Sequence, residues 1–471
     1  MRVINQKATP VLARSDQDYD LGVFVQDRWT AGRATVNLGL RYDGFKGTAP
    51  AQVLPGRTPL TPDRADVAFP ETPLVHWQDI TPRLGLTYDL AGDGRTALKA
   101  SLNKYVEGQA VGSLVGVLAG GTGPHPVSGL VNATSRLWLD LNGDFVPQCD
   151  LTDTSANNEC LAVSNPGFGS TNTNALRFDR EAMFGWGRRG YNWELGLGVQ
   201  REILPRVSVD VGYFRRTYGN FRITDNLELG PDEFTAYSVT APAAAGLSSG
   251  GEALTVFDAD RRVTPRNLTT RSSNYGEQIE RWHGVDVSVN ARPASGLLLF
   301  GGVSTGKSLF DDCDIVPEVP EVLGTRPLEY CRVESPFLTQ VKANASYTIP
   351  GADVLVSASY QSVPGPVIQA NLVVTDRAPG VPLVGATNVN VGLLPAAAGF
   401  GAEYGERLSQ IDLRVGKILR VGGTRTMINL DVFNLFNGNA VTAENPTFTA
   451  FRQPTAIMLA RFVKVSAQFD F

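Results

Sequence analysis

Apolar and polar residues alternate one for one through most of this chain, in segments of about ten residues that recur from end to end. In RATVNLGLRYD, Ala34, Val36, Leu38, Leu40 and Tyr42 share one face, and Arg33, Thr35, Asn37, Gly39, Arg41 and Asp43 share the other. YNWELGLGVQ repeats the scheme, with Tyr191, Trp193, Leu195, Leu197 and Val199 set against Asn192, Glu194, Gly196, Gly198 and Gln200. RVSVDVGY, GVDVSVNAR, VKANASY and DVLVSASY follow suit. A side-chain period of two is that of a β-strand. One strictly apolar face, often closed by an aromatic residue, is the pattern of a strand that meets lipid on one side. Helical periodicity is almost absent.

The links between segments are of two kinds. Short ones are rich in Gly and Pro and fall at residues 30–33, 91–94, 204–206, 293–296, 350–352 and 421–423. Long ones run from about 44 to 78, 106 to 190, 217 to 276, 308 to 335, 363 to 405 and 438 to 452. The two kinds alternate, which gathers every long link at one end of the strands. Outer-membrane barrels have short periplasmic turns and long external loops. The pattern therefore predicts an all-β chain, an antiparallel transmembrane β-barrel wall of roughly thirteen or fourteen strands, each long enough to cross a bilayer when tilted. A soluble propeller would show repeats of about 40 residues with uniformly short links. A sandwich would have shorter strands and closer turns.

Composition alone would have suggested a soluble protein: hydrophobic residues make up 42% of the 471, and mean hydropathy is -0.08. In a barrel only alternate strand residues face lipid, so the apolar signal is diluted. No stretch reaches the roughly 18 apolar residues of a membrane-spanning helix. A net charge of -5 without a basic stripe gives no expectation of nucleic-acid binding.

Topology adds an expectation about the ends. The first clear strand, LGVFVQDRW, starts at the long-loop end, and the last, ending at Phe471, runs to the short-turn end. A chain exported through the periplasm needs an earlier upward crossing. Residues 1–18 are too polar and Pro-interrupted to supply it, and they lack the apolar core of an export signal. Residues 1–18 are thus expected to be the remnant of a preceding strand or loop, and 19–471 the C-terminal part of a larger barrel.

The terminal RFVKVSAQFDF puts Val463, Val465, Ala467, Phe469 and Phe471 on one face and ends on an aromatic residue. This resembles the terminal signal by which the barrel assembly machinery of the outer membrane recognises its clients. FVQDRW, NLGLRYD, TPRLGLTYDL, QIDLRVGKIL, NLDVFNLFNGNAV and the terminal segment together resemble the barrel of TonB-dependent receptors. The subgroup most similar carries an N-terminal carboxypeptidase-regulatory-like domain, as in Oar-like proteins, and DFVPQCDLTDTSANNECLAVSNPGFG is similar to one of its external loops. The resemblance covers residues 15–471. It implies a barrel of about 22 strands around an internal plug, energised through the TonB complex, in contact with outer-membrane lipid, and binding or importing a bulky solute. Plug, regulatory-like domain and signal peptide have no counterpart in these residues. A passive porin-like channel and a surface adhesion or secretion-associated barrel are the alternatives.

The remaining candidate chemistry is sparse. Cys149 and Cys160 fall in one long loop, Cys313 and Cys331 in another. With no zinc-ligand spacing around them, local disulfides are favoured over metal, and these suit an oxidising export route. Asp140, Asn142 and Asp144 in DLNGD imitate the start of a calcium loop, but Gly143 comes too early and Leu151 stands where a bidentate Glu belongs. His76, His125 and His283 are scattered, and only His283 has a near acidic neighbour, Asp286. GGTG at 120–123 is followed by PHP and cannot open a helix as a phosphate-binding loop does. No catalytic residue and no cofactor is expected.

Overall fold

The computed structural model describes residues 2–9, 13–62, 64–108, 124–165, 167–171, 176–259, 266–375, 383, 388–421 and 423–470. Its frame is one sheet in which thirteen strands follow each other in sequence order. They are β1 (Asp16–Ala31), β2 (Ala34–Ala49), β3 (Thr72–Asp89), β4 (Thr96–Val106), β5 (Tyr191–Leu204), β6 (Val207–Gly219) and β7 (Ile279–Ala291). The path continues through β8 (Leu297–Asp311), β9 (Leu338–Ile349), β10 (Val354–Val363), β11 (Leu408–Val421), β12 (Thr424–Phe433) and β13 (Phe462–Asp470). Every pairing along it is antiparallel. Among the described residues, β1 pairs only with β2 and β13 only with β12.

The six short links are where the Gly and Pro residues predict them. Gly32 and Gly296 turn the chain at φ of 58° and 76°, a region that costs a residue without Cβ nothing. Register carries the alternation across the sheet, so the expected apolar positions lie on one side. Leu197 stands opposite Tyr213, Val287 opposite Val211 and Val303, and Leu430 opposite Val415 and Val465. These positions stay open: Leu197 is 47% exposed, Val211 42% and Leu430 45%. In water each such side chain would forgo about 1.5–3 kcal/mol of burial. A continuous surface of them is a surface made for acyl chains.

One expectation is corrected. The strands are 9 to 18 residues long, not about ten, because on the long-loop side they rise past the apolar band. Residues 44–49 and 72–78, expected as loop, pair as the upper parts of β2 and β3. There Phe45 and Trp77 are buried against Ala182 and Met183 of a neighbouring loop, so the sheet is held up by protein contacts and not by lipid. The first residues are also paired. Arg2–Lys7 is a strand that pairs with Ala133–Trp138 in the loop between β4 and β5, and β1 begins at Asp16, inside the segment expected to be a remnant.

The long links are folded. Residues Tyr237, Val239, Leu254 and Val256 from the β6–β7 link share one hydrophobic core with Tyr330 and Val333 from the β8–β9 link. Val374, Val389, Val391, Leu393 and Leu394 from the β10–β11 link complete it, with Phe448 and Phe451 of the β12–β13 link packed alongside. Hydrogen bonds cross between the links at the same place. The Leu393 carbonyl accepts from Ser249 Oγ at 2.6 Å and from the Tyr330 hydroxyl at 3.1 Å. Four links thus make one cap.

Both disulfides form as the sequence suggests, Cys149–Cys160 and Cys313–Cys331, each inside a single link. Non-reducing peptide mapping of protein from outer membranes should recover these two cross-linked pairs. A Cys149–Cys331 peptide would contradict this arrangement of the links.

Candidate functional site

The second face of the sheet is polar, and the period of two that fills the first face with Val and Leu fills this one with paired charges. Glu194 and Arg216 are direct cross-strand partners with an Oε2–Nη2 distance of 2.5 Å. Arg414 and Asp431 repeat the arrangement at 2.5 Å, Lys99 reaches Asp210 at 3.0 Å, and Arg41 reaches Asp43 at 2.7 Å. Such pairs on a solvated surface contribute little stability, of order 0–1 kcal/mol each. Their effect is to keep the face wet and its charges balanced.

Aromatic rings lie flat on this face where glycine leaves room. A Cβ on Gly212 would come within 2.7 Å of the Phe214 ring, and one on Gly306 within 2.5 Å of the Trp282 ring. Above these rings lies a half-open chamber that Ala398 and Phe400 of the cap overhang. Two adjoining cavities of about 400 and 420 Å³ share Tyr218 and Glu280 as lining residues. Glu107, Asn192 and Arg222 complete the first. Arg216, Trp282 and Ser308 complete the second, with Phe400 reaching in from the β10–β11 link. Arg222 Nη2 is 3.0 Å from Glu107 Oε2, and its guanidinium stands 5.4 Å from the Trp77 ring. The chamber so joins carboxylates, guanidinium groups and three kinds of aromatic ring, a set able to hydrogen-bond and stack on a polar solute of some size.

The links themselves enclose polar groups. Asp312 is fully buried and held by a bidentate Arg326, at 2.5 and 3.1 Å. Burial pushes its carboxyl above the usual range while the guanidinium pulls the other way. Glu321 accepts from the Asn226 backbone N–H at 3.0 Å, and burial raises its carboxyl as well. It lines a cavity of about 380 Å³ with Asn226, Phe234, Phe257, Asn267 and Asn390. Closer to the sheet, Arg189 Nε and Asp79 Oδ2 are 3.3 Å apart, both almost fully buried, with the guanidinium over the Trp77 and Phe45 rings.

The residues singled out in the sequence are not brought together here. Asp140 turns its oxygens onto the backbone N–H groups of Gly143 and Phe145, Asp144 accepts from Val146 N, and Asn142 bonds Asp144 and Gln148. This is a self-satisfied acidic turn. Among the described residues no three His, Cys, Asp or Glu side chains converge on a metal position. His283 and Asp286 lie three apart on β7 and so point to opposite faces. His76 Nε2 is 2.8 Å from the Tyr19 hydroxyl. His125 is buried, accepts from Val127 N and contacts the Arg14 carbonyl at 2.9 Å, and burial pushes its imidazole below the usual value. Val463, Val465, Ala467 and Phe469 are all exposed on the apolar face of β13. Phe471, like GGTG at 120–123, lies outside the described residues.

The chamber residues do not stand out in the sequence, although their polar alternation is visible there, because strands distant in the chain and a folded roof are needed to assemble them.

A sequence-family model for the outer membrane beta barrel domain matches residues 4–302. No curated protein matches the chain. Among solved structures it is similar to the FrpB iron transporter of Neisseria meningitidis (F3-3 variant), with a TM-score of 0.46 and 13% identity over 95% of this chain and 44% of that one. The ferric-catecholate import receptor Fiu of Escherichia coli K12 gives 0.44 and 13% over 95% and 44%. The outer membrane transporter YddB of Escherichia coli gives 0.48 and 9% over 96% and 54%. The chain spans about half the length of these proteins, from 44% to 54%. The family match extends over more than half of the chain and agrees with a sheet that is apolar on one face and polar on the other, so the protein belongs to the outer membrane beta barrel domain family, a family of bacterial outer-membrane proteins.

Proposed function

We propose that these residues form the larger part of the wall of a TonB-dependent receptor that binds a bulky polar solute beneath its external cap and passes it inward. The observation that carries the reading is the half-open chamber beneath the cap, lined by Phe400 of the cap with Arg216, Tyr218, Glu280 and Trp282 of the wall. A passive pore needs an open mouth. A receptor needs a mouth that is closed until a solute arrives and an energy source to release it. The Oar-like subgroup is the one whose motifs the sequence resembles most, and the named solutes of FrpB and Fiu suggest metal chelates as the first class to test.

On this reading about nine further strands and a plug complete the barrel to about 22. The reading frame upstream of the Met1 codon should encode more alternating segments and then a Gly-rich plug. A stop codon close upstream would speak for a plugless channel. The functional test is conductance and uptake by the intact protein. In planar bilayers it should pass no steady current, and uptake of its solute by cells should stop when the inner-membrane proton gradient is collapsed. A steady ohmic current, or uptake indifferent to the gradient, would favour the passive channel.

Phe469 and Phe471 should be needed for assembly. Changing both to Ser removes the aromatic end of a lipid-facing strand and should leave degraded, periplasmic protein. A heat-modifiable barrel band of normal intensity on a gel would remove the assembly-signal role.

A further inference from the structure

The apolar face of the sheet carries a group of basic side chains at its upper margin. Arg215 on β6, His283 on β7 and Lys307 on β8 are consecutive register partners on that face. Arg281 stands two residues above His283 on the same side, opposite Thr217 and Leu309. Directly below the row come Tyr213, Val285 and Thr305, and below them Val211, Val287 and Val303. From Val207 at the short-turn end to Arg215 is eight residues, about 27 Å along the strand and about 20 Å across a bilayer at the usual tilt. The row therefore sits in the upper part of an apolar band about 25 Å tall, within a side chain's reach of the headgroups of the outer leaflet.

Like charges side by side on a sheet repel, and a cation at the edge of hydrocarbon needs an anion or water. One of these cations is answered within the chain, and a neighbouring arginine outside the row is paired beside it. Lys307 Nζ lies 2.6 Å from Glu334 Oε1, and Arg332 lies 2.9 Å from Asp311 beside it. Arg215 has no ion pair among the described residues, and Arg281 lies near Glu334, which is already engaged by Lys307, without a direct pair of its own. As diagonal neighbours on one face the two arginines are about 7–8 Å apart at Cα, a spacing that two guanidinium groups can close on one phosphate. Beside them Phe337, 57% exposed, meets the His283 ring edge-on at 6.0 Å and lies 5.5 Å from Lys307 Nζ. An exposed ring at this height is an interfacial anchor against which an acyl chain can lie.

We infer that Arg215 and Arg281, flanked by His283 and Phe337, bind the phosphate-bearing headgroup of a lipid of the outer leaflet. The charge complementarity picks the headgroup, and the apolar surface continuous below it picks a lipid over a free anion. The inference uses only residence in the outer membrane and is independent of what the chamber carries.

The test is native mass spectrometry of the intact protein from outer membranes, in detergent, titrated with bis-phosphorylated lipid A. The wild type should hold the lipid, and fully dephosphorylated lipid A should bind at least tenfold more weakly. Each arginine should contribute about tenfold, so Arg215→Gln with Arg281→Gln should lose about a hundredfold. Arg201→Gln, which removes the same charge from the apolar face near the opposite end of β5, should lose nothing. Heat-modifiable mobility reports folding, and if the double variant does not assemble, Arg215→Gln alone should still show its tenfold loss. Equal binding of the phosphorylated and dephosphorylated lipids, or equal losses from Arg201→Gln, would overturn the site. Displacement of the lipid by millimolar inorganic phosphate would overturn the lipid as its ligand.

Discussion

Placing Arg at Val287 should destabilise the folded protein by about 2–4 kcal/mol, whereas Arg at the next residue, Ser288, should cost less than about 1 kcal/mol. The two positions share a strand, a depth and a backbone environment and differ in the face they occupy. Val287 is set between Val211 and Val303 in the middle of the apolar band. A guanidinium there must be carried into hydrocarbon or must bend several ångströms to reach a headgroup. Ser288 is set opposite Asp210 on the polar face, where water and a carboxylate receive the charge. Urea unfolding of the barrel in lipid vesicles measures both. Equal losses would mean that the assignment of the two faces is wrong.

Leu393→Ala should cost the cap about 2–5 kcal/mol, the usual range for emptying a fully buried leucine site. Its readout should extend beyond its own link. Leu393 is completely buried, and its carbonyl receives Ser249 and Tyr330 from two other links. If the four links form one cooperative unit, limited proteolysis should become faster near residues 237–256, 328–333 and 389–394 together. The wall should be unaffected, as judged by heat-modifiable mobility. Faster cleavage confined to the β10–β11 link would show that the links fold independently.

Strand positions, the short turns and the disulfide pairs are legible in the sequence, because each rests on local chemistry. Alternation fixes which face Val287 takes, Gly32 and Gly296 fix turns, and two cysteines in one link pair with each other. The upper parts of β2 and β3 are not legible. Phe45 and Trp77 face the protein-covered side, where the alternation of apolar and polar no longer follows lipid and water, so their strands read as loop. The cap is hidden for a related reason. Val256, Tyr330 and Val391 belong to strands and turns of three to seven residues, too short to show a period, and their partners are far away in the chain. The separation of His283 from Asp286, by contrast, follows from strand geometry alone, since residues three apart on a strand face opposite ways.

The strict sequence order of the wall has a consequence for the time course of its formation. Six of the twelve strand pairings close across the short links, and the others wait on long ones, up to that spanning residues 107–190 between β4 and β5. Loop-closure entropy grows by about 0.6 kcal/mol for each doubling of length, so the longest link starts about 3 kcal/mol behind a two-residue turn. Hairpins such as β5–β6 and β7–β8 can then zip within microseconds of meeting a suitable surface, while pairing between hairpins is delayed. Kinetically the described wall is six prefabricated hairpins whose mutual pairing, like that of β13 with β12, waits on the long links.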